Sequence, residues 1–205
     1  MGMYLDGLSA KYDVDVIYIV PYTEIREMSR MAKNLIVFAP YMDPIYPGRG
    51  MGYVLPESIR DAGAKGVIVN HCERPMTLSA LKETIVRARE LDLLSMACAD
   101  SVAEARAIAQ LSPDIICPEP TELVGSGNAS DMSYVREVTN EIKQIDNGIL
   151  VEQSAGITKG EQVYQFIMAG SEGAGAGSGI FNAEDPFAAA EEMIINVKKA
   201  KGDMR

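Results

Sequence analysis

The chain has 205 residues, 47% of them hydrophobic and 23% charged, with no tryptophan and a net charge of −10. That is enough for one α/β domain with a substantial core, in a composition ordinary for a soluble protein. The negative charge argues against nucleic acid or an anionic membrane surface as partner, yet a nest of backbone N–H groups can still hold a small anion.

Residues 1–10 carry two glycines and read as the tail of a helix. Val16–Val20 (VIYIV) is an apolar β-branched run that predicts a buried strand, closed by Pro21. Thr23 is placed to cap the helix TEIREMSRMAK, and Leu35–Ala39 (LIVFA) is the next strand. A long loop rich in proline and glycine follows, PYMDPIYPGRGMGYVLP, of a length that often carries function. Pro56–Ala62 reads as a short helix closed by Gly63, and residues 67–69 as a strand that runs into Asn70 and His71, the single histidine. Thr77–Leu91 is an amphipathic helix with Leu78, Leu81, Ile85 and Ala88 on one face.

Strands are then expected at Leu93–Cys98, Asp114–Cys117, Gly148–Val151 and Gly173–Gly177, the last built only of glycine and alanine. Helices are expected at Ser101–Gln110, Ser133–Ile145, Lys159–Ala169 and Asp185–Lys199, the last capped by Asp185 with Pro186 in its first turn. Seven strand–helix units with short connections imply an all-parallel sheet in a single α/β domain over 1–205. A doubly wound sheet and a β/α barrel both fit, and the regular unit length favours the barrel. A complete barrel has eight units, so the pattern reads as a barrel truncated at its N-terminus.

The three cysteines, Cys72, Cys98 and Cys117, are odd in number and point to a reducing cytoplasm rather than a disulfide framework. They contain no C-x-x-C pair, and the side chains of His71 and Cys72 diverge as neighbours, which argues against a metal site. No apolar run reaches the roughly 18 residues of a membrane span, and the N-terminus lacks the basic and apolar regions of a signal peptide.

In a parallel sheet the strand ends gather on one face, and here they bring His71 and Glu73, Cys98 and Asp100, Glu119, then Gln153 and Ser154. An imidazole facing a carboxylate suits proton abstraction beside a carbonyl: the carboxylate removes the proton and the imidazole polarises the oxygen. Glu119 sits between Pro118 and Pro120, which restrict its backbone. Three glycine segments, GSG at 125–127, SAG at 154–156 and GSG at 177–179, can expose N–H groups to an anion on the same face and together suggest a phosphate site.

The segments VLPESIRDAGAKGVIVNHCERPMTL, PDIICPEPTELVGSG and SAGITKGEQV resemble the triosephosphate isomerase family, its archaeal branch most closely, from about Val14 to the C-terminus. The resemblance implies a TIM barrel, the interconversion of glyceraldehyde 3-phosphate and dihydroxyacetone phosphate, no cofactor and no metal. It implies that His71 is the electrophile, Glu119 the base and Glu73 an acid that helps order the site. It further implies that Pro120–Gly127 is a mobile lid and that Gly125, Gly156, Gly177 and Ser178 hold the substrate phosphate with backbone N–H groups. The implied partner is a small phosphorylated sugar, and the implied assembly a homo-oligomer, a dimer, joined through the long loop after Ala39.

The departures carry their own expectations. The family's first strand supplies an Asn and a Lys, and neither is found; Lys11 precedes the strand at 16–20 and lies at the opposite end of the barrel. Losing a preorganised cation costs on the order of 10²-fold or more in rate, so impaired turnover is expected, with Arg49 as a substitute cation and a barrel that only binds a phosphorylated ligand as the alternative. Met51 stands where a Thr is usual, Cys72 replaces a Ser, and the hinge NASDMSY is short. The gap between the strands at 16–20 and 173–177 must be covered by direct pairing, by the N-terminal stub or by another subunit.

Overall fold

The computed structural model describes residues 1–204. Its elements alternate as α1 (Gly2–Tyr12), β1 (Val16–Ile19), α2 (Ile25–Met31), β2 (Leu35–Ala39), α3 (Pro56–Ala62), β3 (Gly66–Val69), α4 (Leu78–Glu90), β4 (Leu94–Ala99), α5 (Val102–Ala109), β5 (Ile115–Pro118), α6 (Met132–Ile145), β6 (Leu150–Gln153), α7 (Gly160–Met168), β7 (Gly173–Ala174), α8 (Ser178–Phe181) and α9 (Pro186–Asp203). The strands form one parallel sheet in chain order, β1 through β7.

Side chains alternate across the sheet as strand geometry requires. Val37, Ala39, Val67, Val69, Ala97, Ile116 and Val151 face the helices and form the main core with residues such as Ile85, Ile108 and Ile142. The opposite residues, among them Phe38, Met96, Cys98, Ile115 and Cys117, meet in a second cluster flanked by Ile17 of β1 and Ile36 of β2. Residues of β1 and β5 reach one interior only if the sheet curls, which gives the β/α-barrel type of fold. Phe38, fully buried, fills that interior, and a Cβ on Gly66 would lie 2.3 Å from its ring.

The helices start on short polar side chains. Thr77 accepts the Ala80 N–H, Ser101 that of Glu104, Asp131 that of Ser133, and Asp185 those of Phe187 and Ala188. Gly63 ends α3 at φ 107°, the left-handed region that glycine tolerates. Thr23 departs from expectation: its hydroxyl donates to the Glu24 carboxylate, and α2 starts at Ile25 with Glu24 as its cap residue. Leu78 also departs, being 55% exposed at the first turn of α4, while Thr84 and Arg87 are buried on the inner face.

Residues 2–12 form a helix of their own, closed by Asp13 in the left-handed conformation. Leu5 and Leu8 pack with Ala190 and Ile194 of α9, and Glu191 accepts hydrogen bonds from Tyr4, Tyr12 and Lys11 at 2.8–2.9 Å. Buried Asp6 accepts the N–H groups of Lys33, Asn34 and Leu35 at 2.8, 2.6 and 3.1 Å, tying α1 to the start of β2. The helical layer thus closes between α1 and α9. The sheet beneath it does not: among the described residues no pairing joins β1 to β7. Among the described residues the two edge strands are therefore not paired into a seven-stranded ring; outside them α1 packs on β1, the start of β2 and α9. β7 is two residues long rather than five, because glycine and alanine offer little side chain to hold a strand in place.

Candidate active site

The carboxyl end of β3 delivers His71 and that of β5 delivers Glu119. The His71 Nε2 lies 3.8 Å from Glu119 Oε2, with the two side chains 28% and 14% exposed. Two backbone features aim the imidazole. Asn70 takes φ 57°, turning the chain sharply after the strand. Its side-chain amide donates to the Cys98 carbonyl and to Glu104, both at 3.0 Å, and its oxygen accepts the Met76 N–H at 2.8 Å. Glu104 also accepts the Asp100 N–H at 2.8 Å, so the ends of β3 and β4 are fastened together directly beneath His71. Sequence reasoning missed Asn70 and Glu104; the S-x-x-E pattern at Ser101 marks a helix start and gives no hint of this second bond.

The His71 Nδ1 accepts the backbone N–H of Glu73 at 3.3 Å. That bond assigns the ring proton to Nε2, the nitrogen facing Glu119. Glu73 orders the ring through its backbone; its side chain is 87% exposed and stays 3.8 Å from Nδ1. Arg74, in the same turn, stacks on the Tyr41 ring at 3.9 Å and approaches Asp43. Lys11 is committed to Glu191 on the helical layer. Arg49 is exposed in the long loop. Among the described residues neither a lysine nor an arginine pairs with His71 or Glu119.

Glu119 is pushed up to about 7, first by burial and then by the neighbouring carboxylate of Glu152. A carboxyl that titrates near neutrality is suited to proton transfer. Glu152 is the second residue that the sequence reading overlooked. It extends from β6 into the interior, where Ser154 donates to its Oε1 while Oε2 is sealed from solvent without a partner. Its room comes from β7: a Cβ on Gly175 would lie 2.5 Å from Glu152 Oε1, and one on Gly173 would lie 3.3 Å from its Cγ. Glycines facing an acid on the adjacent strand are the signal that could have found it.

Beside Glu119 lies a cleft of about 130 Å³ lined by Asn70, Cys72, Asp100, Glu104, Glu119 and Thr121, with some contribution from neighbouring residues. His71 reaches Glu119 without lining it. Cys98 and Cys117 are paired across β4 and β5, and their sulfurs lie within 4.8 Å of each other and of a Glu119 oxygen. Cys72 stays apart from that group. The expectation that the side chains of His71 and Cys72 diverge is not met, since Cys72 Sγ lies 3.8 Å from His71 Nδ1.

The three glycine segments converge. Gly156 takes φ 68° and is so close to the loop after Gly127 that a Cβ would lie 1.9 Å from the Asn128 carbonyl oxygen. A Cβ on Gly179 would likewise lie 1.9 Å from the Ile157 carbonyl oxygen. Gly125 and Gly127 take φ 70° and 75°. Between Glu119 and Gly125 a single 3₁₀ turn, Thr121–Leu123, leads into an exposed loop. Gly177 caps α8 and Ser178 opens it; both are exposed, and the first N–H groups of a helix have no partner within it. Gly125, Gly156, Gly177 and Ser178 thus belong to segments that border one another.

Residues 3–195 match the family model described as triosephosphate isomerase. The chain is 39% identical over 199 residues to the triosephosphate isomerase of Sulfurisphaera tokodaii, covering 96% of this chain and 86% of that protein. It is 33% identical over 202 residues to that of Saccharolobus solfataricus, covering 98% and 88%, and 35% identical over 195 residues to that of Methanothermus fervidus, covering 94% and 87%. With a match of this extent, the chain belongs to the triosephosphate isomerase family.

Proposed function

We infer that the chain is an aldose–ketose isomerase acting on glyceraldehyde 3-phosphate and dihydroxyacetone phosphate. The observation that carries this is the approach of His71 Nε2 to Glu119 at the carboxyl ends of parallel strands, in a member of this family. Glu119 takes a proton from the carbon beside the substrate carbonyl, while the Nε2–H of His71 hydrogen-bonds to the carbonyl oxygen and stabilises the enediolate. Return of the proton to the neighbouring carbon, with the hydroxyl proton moved between the two oxygens, completes the exchange. Glu73 holds the His71 ring through its N–H. The N–H groups of Gly125, Gly156, Gly177 and Ser178 bind the phosphate, and residues 120–127 close over it and exclude water. No metal or cofactor enters this chemistry.

Turnover below the family's usual efficiency is part of this reading, supported by the lack of a lysine or arginine paired with Glu119 among the described residues. The fold is read as one TIM-barrel domain, supported by the seven parallel strands in chain order with alternating helices. The assembly is read as a homodimer in the cytoplasm. Its support is the long loop after Ala39, where Tyr46, Met51 and Tyr53 are 60%, 101% and 60% exposed, an apolar surface that a subunit partner would cover.

A second reading, a barrel that binds a phosphorylated ligand without turning it over, is favoured by the lack of a paired cation. A coupled assay with glyceraldehyde 3-phosphate separates the two. Measurable turnover that falls about 10²–10⁴-fold in Glu119→Gln supports the isomerase. No turnover, with thermal stabilisation by a phosphorylated analogue, supports the second reading.

A further inference from the structure

The interior below Glu119 holds an unusual set of groups. Cys98 and Cys117, both buried, face each other from adjacent strands, and their sulfurs and a Glu119 oxygen all lie within 4.8 Å of one another. Cys117 also hydrogen-bonds to Ser154 at 3.5 Å, and Ser154 bonds in turn to Glu152. Glu152 Oε2 is buried and has no partner. Neither Glu119 nor Glu152 forms an ion pair with a lysine or arginine among the described residues. Two thiols and two carboxyl groups gathered without a lysine or arginine hold their protons, and a divalent cation can replace those protons.

We propose that Cys98, Cys117 and Glu119 form a binding site for a soft divalent cation of the zinc type, with Glu152 beside it as a further oxygen donor. Thiolate sulfur and carboxylate oxygen are ligands zinc accepts, at about 2.3 Å and 2.0–2.2 Å, and donor atoms within the observed separation can converge on one ion with small rotamer changes. The chemistry balances: each thiol that binds gives up one proton to solvent, and the ion takes two thiolates and one carboxylate. Occupancy removes Glu119 from its contact with His71. The ion is therefore an inhibitor of proton transfer at this site rather than a participant in it. Binding itself does not depend on the isomerase reading; only its effect on turnover does.

The test begins with full-length protein stripped by a chelator and titrated with Zn²⁺ in weakly buffered solution containing a pH indicator. At pH 8, where Glu119 is mostly ionised, one ion bound per chain with about two protons released is expected. Cd²⁺ should then show thiolate-to-metal absorption of an intensity fitting two sulfurs; an intensity fitting one sulfur overturns the proposal without any variant. Cys98→Ala and Cys117→Ala, checked for folding by circular dichroism, should each weaken Zn²⁺ binding by more than ~100-fold, beyond the loss typical of an outer-shell residue. Cys72→Ala should leave it unchanged, and loss of binding in Cys72→Ala shows that the accessible thiol was the ligand and overturns the assignment. In the isomerase assay, the ratio of rates with and without equimolar Zn²⁺ should fall at least tenfold for the unaltered chain and stay near one for Cys117→Ala. Absence of turnover defeats the isomerase reading but leaves the binding results standing, whereas absence of stoichiometric binding defeats this proposal alone.

Discussion

At the scale of single residues, Glu119 is where the fold and the chemistry compete. Its carboxyl titrates at about 7, well above the ordinary 4.5, because it is buried and faces Glu152 from β6, with His71 from β3 and the Cys98 and Cys117 thiols as its other titratable neighbours. The base works deprotonated, so kcat/KM should rise with pH and level off above an apparent pKa near 7. Glu152→Gln removes the repelling carboxylate and should move that limb to lower pH; a profile unmoved by the substitution would show that burial alone sets it. The same shift has a cost in stability. A carboxyl raised in the folded state favours folding less and less as pH climbs from 4.5 to 7, a difference of ~3 kcal/mol once complete. Glu119→Gln should therefore unfold at higher denaturant concentration than the unaltered chain at pH 8, and at nearly the same concentration at pH 4. Glu119 and His71 were legible in the sequence because both follow apolar strands. Glu152 was not, because an acid between Val151 and Gln153 looks like an outward-facing strand residue until Gly173 and Gly175 are seen to make room for it.

At the scale of elements, most strands and helices could be read from periodicity and capping residues, since buried parallel strands and Ser, Thr or Asp caps leave clear marks. What could not be read was decided by neighbours distant in the chain. α1 looked like the end of a helix, yet it is held as a unit by Asp6 on the amides of residues 33–35 and by Glu191 on α9. Lys11, Tyr12 and Tyr4 hold Glu191 down to about 2, which identifies it as the polar hinge of that contact. Asp6→Ala leaves three N–H groups without their acceptor and should destabilise the chain by about 3 kcal/mol, measured by urea unfolding. The glycine segments show the same dependence on tertiary structure. Gly156→Ala drives a methyl into the Asn128 carbonyl and must part the loop after β6 from the loop around Asn128. Inhibition by a phosphorylated analogue should weaken at least tenfold in that variant, by way of a displaced anion site. Unchanged inhibition would remove Gly156 from the phosphate site.

At the scale of the whole molecule, α1 and α9 pack together outside while the strands β1 and β7 are not paired among the described residues. Ile19 on β1, Leu94 on β4 and Leu150 on β6 are 43%, 39% and 48% exposed, and the loop carrying Met51 adds a second apolar surface. Light scattering at micromolar concentration should give a dimer, and Met51→Lys should shift it toward monomer; a monomer throughout would rule out a second subunit as the cover of that surface. The unjoined edges have a further consequence for how the protein opens. A ring of strands has no first strand to lose, but an arc has two. Hydrogen exchange should therefore be graded along the sheet, slowest in β3 to β5 and faster toward β1 and the two-residue β7, so that the molecule frays from its margins before its middle gives way. The β6–β7 margin carries Glu152, so its opening would take from Glu119 the neighbouring carboxylate that, after burial, helps it keep its proton.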